Sequence, residues 1–175
     1  MLFLISLVIF IISIILYFVK IKLNEHYNLI VKQQNFKNTL EDMKDILKYN
    51  NIPFHLYFGT ALGAIREQRF ITYDTDIDIA IFKKDIKIFN KLGNIITTNK
   101  KFKLKSKLPM NSKNIMEYSF IHKKTNVSID IFLIIEKNNK YKFFTYYGLC
   151  NNKPNKRCEY TNSKYALNDI LWHEI

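Results

Sequence analysis

Three periods of apolar residues succeed one another along this chain, and each predicts a different kind of element. Residues 2–19 (LFLISLVIFIISIILYFV) are uncharged and broken only by Ser6 and Ser13. At a rise of ~1.5 Å per residue this run is about 27 Å long as a helix, close to the hydrocarbon thickness of a bilayer. A cleaved signal peptide would need a charged segment before the run and small residues after it, and the sequence has neither. The expectation is therefore one N-terminal transmembrane helix, with residues 1–22 as a membrane anchor. Lys20 and Lys22 follow the run, and the positive-inside tendency would place the remainder in the cytosol.

From residue 24 to 50 the period becomes helical with one apolar face. Leu29, Phe36, Leu40, Met43 and Leu47 recur at spacings of three, four and seven with charges between them. Asn50-Asn51 and Pro53 end this helix, and residues 23–50 lead into the domain. Its apolar face is expected to pack on a sheet; lying on a membrane surface is the second reading. Phe54 to Phe58 then reads as a short strand stopped by Gly59-Thr60, with helical turns from Ala61 to Arg66. In Ile77 to Phe82 the period falls to two: Ile77, Ile79 and Ile81 face one way, and Asp76, Asp78 and Ala80 the other. Residues 84–97 suit another amphipathic helix. Ile115 to His122, Val127 to Glu136 and Tyr141 to Tyr147, separated by Lys-Lys-Thr-Asn and Asn-Asn turns, suggest an antiparallel meander. The last fifteen residues are weakly patterned, with a possible short helix. The order predicts an α+β fold over residues 51–175, a mixed β-sheet with helices packed on one side.

Composition changes this picture little. The chain has 175 residues, enough for one compact domain, and a formal net charge of +12 from 27 Lys+Arg against 15 Asp+Glu. That balance suits nucleic acid, anionic lipid or a phosphorylated substrate, but the lysines are dispersed along the chain, as on a solvated surface. Cys150 and Cys158 could close a small loop in an oxidising lumen or remain two thiols; with no histidine cluster beside them they make a weak zinc site.

The chemistry concentrates in Tyr73-Asp74-Thr75-Asp76-Ile77-Asp78-Ile79. On an extended segment Asp74, Asp76 and Asp78 point the same way, and three anions on one face repel unless a cation joins them. Hard divalent ions prefer such oxygen ligands. Asp130 sits among Ile129, Ile131 and Phe132 in a core-like strand, where a lone charge is rarely left unpaired. If that strand lies beside Ile77 to Phe82, Asp130 can join Asp76 and Asp78 around Mg²⁺ or Mn²⁺. The competing reading is a set of solubilising strand-edge carboxylates, which suits Asp74 better than the other three. Gly59-Thr60, at a strand-to-helix turn, offers free backbone N–H groups to a phosphate. Arg66 and Arg69, between the two elements, could bind phosphate or neutralise the aspartates. His55 reads as a core histidine, and His122 and His173 have no supporting neighbours in sequence.

The stretch His55-Leu-Tyr-Phe-Gly-Thr-Ala-Leu-Gly-Ala-Ile-Arg66, followed by Phe70-Ile-Thr-Tyr-Asp-Thr-Asp-Ile-Asp-Ile79, resembles the LicD/fukutin family. That family's pattern runs as an apolar strand, Gly-Thr-Leu-Leu-Gly-x-x-Arg, a spacer and Ile-Pro-Trp-Asp-Asp-Asp-Ile-Asp. Gly59, Thr60, Leu62, Gly63, Arg66, Ile71, Asp74, Asp76, Ile77 and Asp78 match; Ala61, Thr72, Tyr73 and Thr75 depart, none of them a presumed metal ligand. The motif is specific and covers residues 52–82.

The resemblance implies a nucleotidyltransferase-like fold and transfer of a phospho-alcohol group, phosphocholine or ribitol or glycerol phosphate, from a CDP-activated donor to a glycan hydroxyl. Asp76, Asp78 and Asp130 would be catalytic and would hold the metal. Gly59, Thr60, Arg66 and Asp74 would bind substrate. It further implies a single-pass membrane protein, of ER/Golgi type in a eukaryote, so that a luminal domain conflicts with the positive-inside reading. The alternatives are a nucleotidyltransferase acting on nucleic acid or a small molecule, which the Gly-Thr-x-Leu-Gly-x-x-Arg stretch disfavours, and an inactive membrane-tethered binding relative.

Overall fold

The computed structural model describes the backbone of residues 2–82, 86–109, 115–137, 140–146, 149–150, 153–154 and 157–162, with side chains over 9–82, 87–108 and 115–134. Contacts divide the chain into a first unit, residues 1–35, and a second, 36–175.

The first unit is helical throughout its described length, as part of α1, Leu2–Tyr49. Two helices were expected, an anchor and an amphipathic one; the structure has a single helix, because no Gly or Pro interrupts the chain before Pro53. Every large apolar side chain from Ile9 to Val19 is exposed, Phe10 and Leu16 by more than half. Among the described residues no helix is long and apolar enough to cross a membrane. The run read as an anchor begins at Leu2, and its side chains up to Val8 lie outside the described ones.

In the second unit, Phe36, Leu40, Met43 and Leu47 are all buried, so the sequence period does mark the packed face of α1. The helix stops as Asn51 turns left-handed at φ 54°. Ile52 N–H then bonds to Leu47 O at 2.9 Å and Asn51 N–H to Lys48 O at 3.0 Å, the paired closure that satisfies the last carbonyls of a helix.

Five strands lie side by side in the order β1 (His55–Leu56), β2 (Asp76–Phe82), β5 (Ser128–Lys137), β4 (Ile115–His122) and β3 (Phe102–Pro109). β2 and β5 run parallel and the other pairs antiparallel, so the sheet is mixed and the fold α+β. β6 (Lys140–Tyr146) extends it from β5, and β9 (Arg157–Asn162) pairs with β6. β7 (Leu149–Cys150) and β8 (Lys153–Pro154) form a separate ribbon.

One face of the sheet is apolar. Ile77, Ile79, Ile81, Ile129, Ile131, Leu133, Tyr118 and Phe120 join the α1 residues, Phe89 of α3 (Ile86–Phe89) and Leu92 and Ile96 of α4 (Leu92–Thr98) in one core. The opposite face carries Asp76, Asp78 and Asp130, and beside them a smaller cluster of Tyr57, Ala80, Phe132 and Ile134.

Several expectations need correction. The strand expected over 54–58 is only two residues long, because Phe58 already opens α2 (Phe58–Arg66). Residues 84–97 are not one helix: the described part is α3 and α4, parted at Asn90-Lys91, where Lys91 N–H bonds back to Ile88 O and Asn90 Oδ1 accepts from Ile115 N–H. Strand β3 was not anticipated at all. His122, which looked unsupported, is buried on the apolar face; its Nε2 lies 2.9 Å from Asp42 Oδ2 and its Nδ1 2.8 Å from Thr125 Oγ1. The final short helix, His173, and the Cys150 and Cys158 side chains lie outside the described residues.

Candidate metal centre

The acidic site follows from the register of two parallel strands. Asp76 pairs with Ser128, Asp78 with Asp130 and Ala80 with Phe132, so every second residue of β2 and β5 shares one face. Asp76, Asp78 and Asp130 each bring one carboxylate oxygen to within 4.8 Å of the others. Burial, then the charges of Asp76, Asp130, Asp74 and Glu117, push the Asp78 carboxyl up to about 7. Asp130 is likewise raised, mainly by burial, with Ser119 drawing it back by a hydrogen bond. Carboxylates this crowded are under a cost that a divalent cation removes, and their donor set is all oxygen. The residues therefore fit a hard divalent ion.

The turn ahead of β2 is built around this cluster. Thr60 is buried and its Oγ1 accepts the Asp78 backbone N–H at 2.9 Å, while Tyr57 N–H donates to Asp78 O at 2.9 Å. Both strap the start of α2 to the strand that carries Asp76 and Asp78. Gly59 is needed for close approach: a Cβ there would lie 2.5 Å from Asp74 Oδ2. Between them Phe58 takes a positive φ of 40°, rare for a bulky residue, and its ring packs on Tyr57 at 4.2 Å and Phe132 at 5.1 Å.

Of the other residues, the two arginines meet a neighbouring carboxylate and His55 lies in the core, as expected of it. Arg66 donates to Glu67 Oε1 and also bonds to Tyr73, while Arg69 Nε lies 3.5 Å from Glu67 Oε2, so both guanidinium groups converge on Glu67. His55 is buried, stacked on Phe82 at 5.1 Å, and burial pushes its imidazole down to about 4.

Three residues that the sequence reading missed stand on the acidic face. Ser119, opposite Asp130 in the register, donates to Asp130 Oδ1. Glu117 lies opposite Phe132; its Oε2 is buried without a hydrogen-bond partner among the described residues, and burial, then Asp130, push its carboxyl up to about 7. Lys105 Nζ donates to Ser128 Oγ at 3.3 Å. The alternation Phe102-Lys-Leu-Lys105 was the readable signal for β3, and Glu117, amid Met116 and Tyr118, was as conspicuous as Asp130.

Comparison with known proteins bears on this geometry. A 28% identical uncharacterised protein of Rickettsia prowazekii (strain Madrid E) aligns over 109 residues, 58% of this chain and 34% of that protein. An uncharacterised protein of Rickettsia typhi (strain ATCC VR-144 / Wilmington) is 37% identical over 68 residues, 35% of this chain and 22% of that protein. The matched region thus spans about a third or less of these relatives. Among solved structures, ANT(2")-Ia in complex with adenylyl-2"-tobramycin superposes with a TM-score of 0.44 and 14% identity, over 70% of this chain and 68% of that one. The family model described as LicD/FKTN/FKRP, nucleotidyltransferase domain, matches residues 51–163, the region that holds every residue of the acidic site. This chain therefore belongs to the LicD/FKTN/FKRP family.

Proposed function

We propose that the chain is a metal-dependent transferase that moves a phospho-alcohol group, of the phosphocholine or ribitol/glycerol phosphate type, from a CDP-activated donor to a glycan hydroxyl. Family membership supports the class of reaction. The observation that carries the metal dependence is the convergence of Asp76, Asp78 and Asp130 within 4.8 Å on one face of parallel strands.

Asp76, Asp78 and Asp130 would hold Mg²⁺ or Mn²⁺, which supplies Lewis acidity to the phosphoryl oxygens of the donor. The acceptor hydroxyl oxygen attacks the β-phosphorus, a new P–O bond forms, and the bond to the bridging oxygen breaks as CMP leaves. The hydroxyl proton has two acceptors on this face, Asp130 and Glu117, the second with a buried oxygen that has no partner among the described residues. Thr60 acts on Asp78 by holding its backbone, and Gly59 leaves the space in which Asp74 sits beside the α2 N-terminus. Arg66, at the end of α2, is joined to Glu67 and Tyr73 and would meet the substrate from there in this reading.

The test is CMP release from CDP-choline, CDP-ribitol and CDP-glycerol with and without Mg²⁺. One donor should turn over, only with metal, and Asp78→Asn should lower that rate by about a thousandfold or more while the circular dichroism spectrum is unchanged. Wild-type turnover by Asp78→Asn would sink the metal role.

A further inference from the structure

The charge balance of the site is incomplete with the aspartates alone. Three carboxylates and one divalent cation leave a net negative centre, and a diphosphate adds further negative charge. The arginines nearest in sequence, Arg66 and Arg69, are engaged with Glu67. A basic side chain does reach this face, from the edge strand β3.

Register explains how. β3 pairs with β4 so that Leu104 is opposite Phe120 and Ser106 opposite Ser119, with a register shift between them. Lys105 is the extra residue of this bulge, a device that re-aims side chains beside functional sites. Because Ser119 points to the acidic face and bonds to Asp130, the bulge brings Lys105 to the same face. Its Nζ, 3.3 Å from Ser128 Oγ, ends beside the residue paired with Asp76, and its charge acts on the Asp130 carboxyl.

We propose that Lys105 is a substrate-binding residue that takes the diphosphate of the donor, with the Ser128 hydroxyl aiming its ammonium group at the edge of the metal centre. This deepens the proposed function and rests on it for the identity of the donor. A Lys here acts as a point charge on a flexible stem, suited to a phosphate whose charge shifts as the leaving group departs. The competing role is structural: Lys105 merely offsets Asp130 and touches no substrate.

Calorimetric titration of the full chain in detergent micelles separates the two, with Mn²⁺ alone, then CDP and inorganic pyrophosphate at saturating Mn²⁺. Lys105→Met should weaken both phosphate probes by about tenfold or more and leave Mn²⁺ affinity unchanged or tighter. Lys105→Arg should recover part of the loss, and Lys107→Met, opposite Tyr118 on the same strand, should match wild type. Wild-type affinity for both probes in Lys105→Met, or loss of Mn²⁺ binding by it, overturns the proposal and leaves the transferase reading standing. Lys105-dependent binding of pyrophosphate with no gain for CDP keeps the lysine's role and removes the cytidine donor. Failure of the wild-type chain to bind either probe removes both.

Discussion

Between pH 8 and 6.5 the metal-free chain should gain stability as acid is added, contrary to what paired surface carboxylates would do. Asp78 has an ordinary value of 3.8 and is held at about 7 in the fold; Glu117 moves from 4.5 to about 7. In that interval the folded chain binds protons that the unfolded chain does not, so stability rises as pH falls through 7. His55 acts in the opposite sense. Its value falls from 6.5 to about 4, so stability is lost as pH drops from 6.5 towards 4. Melting temperature in EDTA should therefore rise from pH 8 to 6.5 and go on rising below it, with His55 offsetting one of the two carboxyl protons. Asp78→Asn should remove about half of the rise, Glu117 supplying the rest, and saturating Mg²⁺ should reverse it, because carboxylates bind metal only when ionised. A melting temperature that falls from pH 8 to 6.5 without metal would contradict the crowding of these carboxylates. Glu117 has a catalytic consequence at the same scale. Glu117→Gln keeps its shape but accepts no proton, so turnover should fall by about 10²-fold or more with Mn²⁺ affinity retained. An unchanged rate would leave Asp130 as the sole acceptor.

At the scale of elements, the two glycines around α2 should respond differently to alanine. At Gly63 a Cβ would meet Arg69 O at 2.6 Å and Ile71 N at 3.2 Å, backbone that cannot step aside, so Gly63→Ala should cost about 1–3 kcal/mol in chemical denaturation. At Gly59 the obstacle is the movable Asp74 side chain, so Gly59→Ala should lower turnover more than stability. Equal stability losses for both would refute this division. Thr60→Val leaves the Asp78 N–H without its acceptor and should cost about 1–3 kcal/mol. The elements were unequally legible in the sequence. β2 and the packed face of α1 could be read because one period runs through each without interruption. The two-residue β1 could not, since Phe58 closes the strand through a positive φ that no local propensity forecasts. Asp76 and Asp78 announce themselves by alternation on one strand. Asp130 required pairing with β2, which its position in a core-like strand suggested. Glu117, Ser119 and Lys105 reach the same face only through the β4–β5 pairing and the β3 bulge, long-range registers that a linear pattern does not contain.

For the molecule as a whole, residues 51–163 carry the family's nucleotidyltransferase domain, and the first unit carries a different physical problem. Ten consecutive positions from Phe10 to Val19 are apolar apart from Ser13, and their large apolar side chains are all exposed. A helix apolar on every side does not remain in water as a surface helix, because no polar face is left to hydrate. With Leu2 to Ile9 preceding it in sequence, the uncharged run covers residues 2–19, and we propose that it anchors the chain in a membrane. Lys20 and Lys22 would then lie near lipid headgroups, where each basic residue contributes about 1 kcal/mol on an anionic surface. A peripheral association through those charges would be released by 1 M salt or alkaline carbonate; a spanning helix would not. The full chain should therefore stay with the membrane pellet in both washes and leave it only with detergent. Replacing Ile11 and Ile15 together with Lys should move it to the supernatant, since two charges at mid-span each cost about 2.5–3.5 kcal/mol on the insertion scale. Release of the wild-type chain by salt alone would reassign the attachment to its lysines and leave the exposed apolar helix to be covered by protein.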